Sequence, residues 1–390
     1  MDLISTNTDT SSRTKQIVYH FEKEILLETL SNTLAAQGDH DLNFIQLSLD
    51  NDKLSLTSIN HTLSIQSECP IPTSVPCTIK LSARQLYDYI KYLPTETINI
   101  TFYPPEQMLI QCAQSSAKFQ LVQDSMDMSI IVPHVGSEIQ ILASALEGFV
   151  DRFRDFVAVD DARFFANGAF FTLDKFEEEY HLMAVSCDNS RLAQVRLSSQ
   201  DFTVSKADSG HVLIPRKTLD EIKRICSKYP KEMISLKWDQ SNHFLSCQLK
   251  NYTLVSKCIS GEYPPYSSAF PQKINKSIVL QKKEILQSIR RILLFSDKTN
   301  VINLVFDQNQ VKIESSIPGQ KEAFDYVPLA VPCEDPFIVK YNGHLMTTIL
   351  NMIPTQDVVF SWESPTRPVM ITSTEESSFD SKYLVVPIHI

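Results

Sequence analysis

The sequence predicts an α+β chain of three similar domains, with helices segregated to one face of antiparallel sheets. Two observations carry this expectation. The order strand, helix, several strands, helix, strands recurs three times along the chain. The second helix of each copy is stopped by a proline, and Pro94, Pro230 and Pro354 lie 136 and 124 residues apart. That period is too long for a solenoid unit, so each copy is a domain in itself.

In the first copy Gln16–Phe21 reads as a short strand. It feeds a helix over 22–37, where Ile25, Leu26, Thr29, Leu30 and Leu34 make one face of a 3.6-residue period. Phe44–Leu49 and Leu54–Thr57 alternate as strands around the short turn Asp50-Asn51-Asp52, a hairpin. A second helix, with Ser82 as its cap, runs from Ala83 to Leu93. Strands Ile98–Tyr103, Met108–Cys112 and Phe119–Val122 close the unit. The second copy places its helices near Ser144–Phe156 and Arg216–Tyr229, the third near Lys282–Phe295 and Asn342–Ile353. The expected domains are 17–135, 136–272 and 273–390, with short proline-bearing joints near Pro133–Gly136 and Pro271–Lys276. Residues 1–16 are polar and Ser/Thr-rich, and a disordered tail is expected there.

Composition narrows the chemistry. The chain has 8 glycines in 390 residues and contains no GxGxxG, GxxxxGK[ST] or GxSxG. Backbones that cradle phosphates need glycine, so a nucleotide-dependent enzyme or serine hydrolase is disfavoured. No catalytic residue, metal ligand or cofactor is expected. The eight cysteines, Cys69, Cys77, Cys112, Cys187, Cys226, Cys247, Cys258 and Cys333, form no CxxC pair and sit mostly in apolar runs. They read as reduced small core residues. A Cys187-Asp188 nucleophile lacks a supporting motif, and the adjacent carboxylate would raise the thiol pKa. No apolar run approaches the length of a membrane helix and no signal peptide is visible, so a cytoplasmic protein is expected. The net charge of −10 argues at first sight against a nucleic-acid partner.

Several stretches in order resemble one family: Arg163-Phe-Phe-Ala-Asn-Gly168, Val185–Ala193 with its Arg191-Leu192-Ala193, Val212–Lys217, Gly261-Glu-Tyr-Pro-Pro-Tyr266, and the tail Tyr383–Ile390. Together they make the chain similar to the bacterial DNA sliding clamps, the beta subunit of DNA polymerase III, across residues 17–390. The first domain matches least well, and Asn189 and Ser190 stand where the family usually has Gly-His. The resemblance implies a non-enzymatic processivity factor: a head-to-tail homodimeric ring around duplex DNA, helices lining the hole and sheets outside. Implied partners are double-stranded DNA, the polymerase III catalytic subunit, the clamp loader and other proteins carrying a clamp-binding motif. A divergent clamp-like interaction protein that no longer supports replication is the alternative.

Three sets of residues follow from the resemblance. Hole-facing helices should be basic, and Arg84, Lys91, Arg152, Arg154, Arg216, Lys217, Lys223, Arg224, Lys282, Lys283, Arg290, Arg291 and Lys298 lie on or beside the helices. In Lys282–Arg291 four of ten residues are basic, in a chain with 46 acids against 36 bases. A solvated helix face is the plainer reading of any single run. A topological ring needs only weak, sequence-independent phosphate contacts, which answers the charge objection. The partner groove would comprise Ala166, Cys187, Asn189, Ser190, Arg191, Leu192, Pro264, Ser268, Ala269, Asn342, Leu345, Thr366, Pro368, Val386, Pro387, Ile388, His389 and Ile390. Leu192, Ala269, Val386 and Ile388 would form its apolar pocket, and Arg191 and Asn342 would meet the peptide's polar groups. A plain edge strand is the other reading of the apolar tail. The ring joint would set Leu294 and Phe295 against Phe119 and Leu121, with ordinary core as the alternative for the first pair.

Overall fold

The computed structural model describes residues 18–34, 44–71, 75–103, 106–123, 128–130, 132, 136–208, 210–241, 243–317, 321–375 and 378–388. The expected disordered tail lies outside them. The chain divides into two compact units, Met1–Val132 with Gln248–Ser256, and Pro133–Cys247 with Lys257–Ile390. Apart from Gln248–Ser256, the middle and C-terminal copies of the sequence repeat thus form a single unit.

Six α-helices occur among the described residues, two per copy: α1 (Lys23–Leu34), α2 (Ala83–Lys91), α3 (Ala143–Asp151), α4 (Arg216–Lys228), α5 (Lys282–Leu293) and α6 (Gly343–Met352). Each begins directly after a strand, with no intervening loop. They pack as the pairs α1 with α2, α3 with α4 and α5 with α6. The tight junction changes how these helices are capped. Ser82 makes no side-chain cap bond, contrary to the expectation. Instead the leading N–H of a helix finds a backbone carbonyl beyond the end of its partner helix: Lys23 N to Glu96 O at 2.6 Å, Ala143 N to Glu232 O at 2.9 Å and Lys282 N to Gln356 O at 2.8 Å. The repeat reaches the side chains. Lys23 Nζ donates to Leu93 O and Lys282 Nζ to Ile353 O, at 2.6 and 2.7 Å, each carbonyl just before a helix-stopping proline.

In the first unit, Val18–Glu22, Thr97–Tyr103, Gln107–Cys112 and Ser115–Gln120 form a four-stranded antiparallel sheet in that order, with Ser115–Gln120 at its edge. Tyr252–Lys257, Leu63–Pro70, Lys53–Ile59, Phe44–Asp50 and Cys77–Ser82 pair in succession. The expected hairpin is present: Asp50 pairs with Lys53, and Asn51 and Asp52 take φ of 48° and 59°, as a type I′ turn requires. Strict alternation in Phe44–Asp50 sends Ile45, Leu47 and Leu49 into a core with Leu26, Leu30, Leu86 and Ile90 of α1 and α2.

The second unit carries an eight-stranded sheet in the order His211–Pro215, Gly168–Phe176, Glu179–Cys187, Arg191–Ser198, Phe379–Val385, Val369–Ser373, Asp357–Trp362 and Lys276–Gln281. The first four strands come from the middle copy and the last four from the C-terminal copy. They join where Arg191–Ser198 pairs antiparallel with Phe379–Val385, from Arg191 opposite Val385 to Leu197 opposite Phe379. The tail strand is therefore interior, not an edge. A further sheet, Lys321–Pro328, Gln310–Ile317, Val301–Phe306 and Phe337–Asn342, leaves Lys321–Pro328 at its edge.

Two helix expectations need correction. The helix expected over Ser144–Phe156 breaks after Asp151, and Arg154–Phe156 forms a separate 3-10 turn. Phe153 and Phe156 are both fully buried, and Phe153 leaves the helical region with φ −131°. Asn342 is the cap of α6 rather than its first turn; its side chain accepts from His344 N and Leu345 N.

Candidate partner groove and basic helices

Antiparallel register puts alternate residues of neighbouring strands on one face. At the seam, Cys187, Leu192, Leu384 and Met370 form one row across four strands. Phe170, Val185 and Met183 continue this face on the middle-copy side. The segment after Gly261 crosses it, and Tyr263, Tyr266 and Phe270 pack on Met183, Val185, Leu192 and Leu384. Both tyrosine hydroxyls are held by sulfur: Tyr263 donates to Cys187 Sγ at 3.2 Å and Tyr266 to Met183 Sδ at 3.6 Å. Gly261 has φ +126°, and a Cβ there would lie 2.5 Å from Phe164, so only glycine lets the segment turn so close. The result is an aromatic wall beside an apolar strip.

The tail continues along this strip. Beyond its strand, Val386 N donates to Ser190 O at 2.9 Å and Ile388 N to Lys340 O at 2.8 Å. Pro387 is buried, and Val386 is exposed. His389 and Ile390 lie outside the described residues.

At the end of the strip, Asp188 closes a turn by accepting N–H bonds from Ser190 and Arg191 on Oδ1 at 2.7 and 2.8 Å. Asn189 is exposed at its tip and receives a bond from Arg163 Nη2. Arg163 forks onto Asp161 at 3.0 and 2.9 Å, and these bonds hold the Asp161 carboxyl down to about 2. Burial pushes the Cys187 thiol up, against the opposing pull of the Tyr263 hydroxyl and Arg163. It is no ready nucleophile. Burial holds Cys226, Cys247 and Cys258 higher still, Cys247 at about 12.

The residues expected in the groove separate into two groups. Cys187, Leu192, Ser190, Val386, Pro387 and Ile388 gather along the seam. Pro264, Ser268 and Ala269 lie on the crossing segment, where Ser268 Oγ turns back to Pro265 O at 3.1 Å. Leu345 is half-buried on α6, Thr366 shares a hydrogen bond with Ser364 at 3.1 Å, and Pro368 directly precedes the Val369–Ser373 strand. Three of the expected residues are otherwise engaged. Ala166 is fully buried. The Asn342 side chain is consumed by α6 and by Thr299 O at 3.2 Å. Arg191 points away from the strip, onto Asp188 and Asp155 O. The groove set read from the sequence left out Phe270 and Met370, and took Arg163, Tyr263, Tyr266 and Leu384 only as parts of motifs. The aromatic spacing after Gly261 and the alternation of the tail were the available signals.

The basic residues on the helices are mostly spoken for. Arg84 pairs with Asp88, Arg154 with Asp155 and Asp220, Arg216 with Asp155, Lys223 with Asp151, Arg224 with Glu221, and Arg291 with Asp325. Arg152 is no free cation: its guanidinium lies 3.7 Å over the Phe379 ring, and burial lowers its pKa. Lys282 closes the end of α6. Lys217, Lys283, Arg290 and Lys298 are exposed, Arg290 touching Asn351 at 3.2 Å, and Lys91 leans over Tyr92. At the expected ring joint, Leu294 and Phe295 are exposed at the end of α5 rather than buried in the core. Phe119, by contrast, is buried against Tyr89 within the first unit, with Leu121 packed on the same core. Strand alternation turns this pair inward.

The matches with known proteins span both regions. Family models of the DNA polymerase III beta subunit match in series: the N-terminal domain at residues 22–128, the central domain at 140–265 and the C-terminal domain at 267–389. The beta sliding clamp of Pseudomonas putida is 25% identical over 373 residues, covering 95% of this chain and 94% of its own. That of Haemophilus influenzae is 24% identical over 382 residues, covering 95% and 100%. The sliding clamp of Pseudomonas aeruginosa, solved with a ligand, superposes with a TM-score of 0.86 at 22% identity over 96% of this chain and 100% of that one. The Caulobacter crescentus clamp gives 0.87 at 20%, over 96% and 100%.

Proposed function

The chain belongs to the DNA polymerase III beta-subunit family, and from that premise we propose that two copies close head to tail around duplex DNA and that the seam groove receives partner peptides. The function is that of a sliding clamp: a non-catalytic processivity factor that tethers the replicative polymerase to its template. The unbroken series of three domain matches carries this conclusion, and favours it over a clamp-like interaction protein outside replication.

The repeat and its boundaries at 17–135, 136–272 and 273–390 would give six domains to a two-copy ring. Two sheet edges are suited to the joint: Ser115–Gln120 in the first unit and Lys321–Pro328 in the second. Unpaired strand edges seek partners, and pairing one copy's first edge with the other's second covers both. Exposed Phe324 and Tyr326 on the second edge, with Leu294 and Phe295, supply apolar surface.

The DNA contact is weak by construction. Most helix cations already hold carboxylates, leaving Lys91, Lys217, Lys283, Arg290 and Lys298 as the better candidates to meet phosphates. Loose backbone contact permits sliding, and closure of the ring replaces affinity. The groove is apolar with backbone groups nearby, as an extended peptide with an apolar anchor requires. No helix among the described residues is long and apolar enough to cross a membrane, and the proposed workplace is the nucleoid in the cytoplasm.

Retention on DNA tests the ring. Once loaded onto nicked circular DNA, the protein should remain bound through gel filtration, and cutting the circle should release it. Equal retention on circle and linear duplex would refute topological binding.

A further inference from the structure

The resemblance set Arg191 among the residues that touch a partner peptide, yet its side chain is only 10% exposed, with Nε and Nη2 engaged by Asp188 and Asp155 O. We propose that Arg191 is a positioning residue, which with Asp188 locks the Cys187–Leu192 turn and through it fixes the tail strand beside the proposed groove. The proposal rests on the reading of the seam as the partner groove.

One carboxylate organises the turn. Asp188 Oδ1 takes the backbone N–H of Ser190 and Arg191, and Oδ2 takes Arg191 Nε and Nη2 at 3.0 and 2.8 Å. Nη2 also donates to Asp155 O at 2.9 Å, and the guanidinium lies 4.7 Å over the Phe156 ring. Phe156 in turn stacks on Tyr383 of the tail strand, centroids 5.5 Å apart. On the backbone side, Arg191 pairs with Val385 and Ser190 O accepts from Val386 N. Side chain and main chain of one turn therefore hold the tail from two directions. A planar fork satisfies Asp188 and the Asp155 carbonyl together, which a lysine ammonium at this position cannot reproduce in that geometry. Removing one partner of so enclosed a pair strands the other.

Asp188→Asn separates positioning from contact, because it keeps the shape and the Oδ1 acceptor while releasing the guanidinium. Binding of a polymerase-derived clamp-binding peptide is measured by fluorescence anisotropy on the full-length protein. Asp188→Asn and Arg191→Ala should each weaken it at least tenfold, Arg191→Lys should not rescue it, and the double variant should be no worse than Arg191→Ala alone. If Asp188→Asn binds as well as the parent or better while Arg191→Ala loses affinity, the arginine touches the peptide and the proposal falls. Amide exchange at Val386 gives a readout independent of any peptide. It should accelerate at least tenfold in both single variants, and unchanged exchange in both overturns the positioning role. Loss of parent binding on deletion of 386–390 checks the groove itself, so its failure is seen separately.

Discussion

Leu294 and Phe295 end α5 with 74% and 40% of their surface in solvent. Replacing both with alanine removes mostly solvent-exposed surface at Leu294 and a half-buried ring at Phe295, so each subunit should keep its fold with a modest loss of stability. Full burial of a leucine or phenylalanine side chain is worth about 1.5–3 kcal/mol. Scaled by the exposed fractions, the pair can offer a joint about 2–3 kcal/mol. That corresponds to a weakening of about 30- to 150-fold per joint. A head-to-tail ring has two identical joints, so the dimer dissociation constant should rise by about a thousandfold or more. Sedimentation velocity over a dilution series measures this, with thermal melting by circular dichroism to verify the fold. A double variant that keeps the parent's dissociation constant while folded would place this exposed pair outside the joint.

Deleting Val386–Ile390 should abolish binding of a clamp-binding peptide and leave the dimer intact in the same sedimentation assay; surviving affinity would mean that the groove lies elsewhere. Lys217→Glu, Lys283→Glu and Lys298→Glu should reduce DNA retention more at low salt than at high, the salt slope falling by about 0.9 for each phosphate that is no longer neutralised. Arg152→Ala should instead lower the melting temperature, since it unstacks Phe379; an effect on DNA retention alone would contradict that assignment. Asp161 titrates below its ordinary value, so its bond to Arg163 is fully formed above about 4 and is lost only as pH falls through about 2. Carboxyl carbon NMR should show no Asp161 transition between pH 7 and 4. With Cys247 held at about 12, its thiolate fraction at pH 8 is on the order of one in ten thousand. In the native protein a thiol reagent should modify Cys77 and Cys187 before Cys226, Cys247 or Cys258, and early labelling of the buried three would indicate an opened core.

What the sequence determined by itself was local and periodic. Apolar alternation, 3.6-residue faces and the stops at Pro94, Pro230 and Pro354 belong to the chain, because they record which side of each element avoids water. The three-copy order, the six helices and the Asn51-Asp52 hairpin were legible for that reason. The proposed groove was half legible: the tail and the Gly261–Tyr266 run stood out as motifs, and the strand register sets Leu192 opposite Leu384 of that tail. Tertiary structure alone decided where individual side chains point. Arg191, Asn342, Lys282 and Arg152 look alike in sequence, as polar residues free to meet a ligand. Each is consumed by a partner far away in the chain or by a cap on its own helix: Asp155, Thr299 and the α6 turn, Ile353, and Phe379. Such pairings depend on which strands become neighbours. Here the deciding event is the pairing of Arg191–Ser198 with Phe379–Val385, almost two hundred residues on. No local pattern encodes that register. It is selected because it buries Leu192, Leu384, Ala193 and Tyr383 together on the two faces of one sheet.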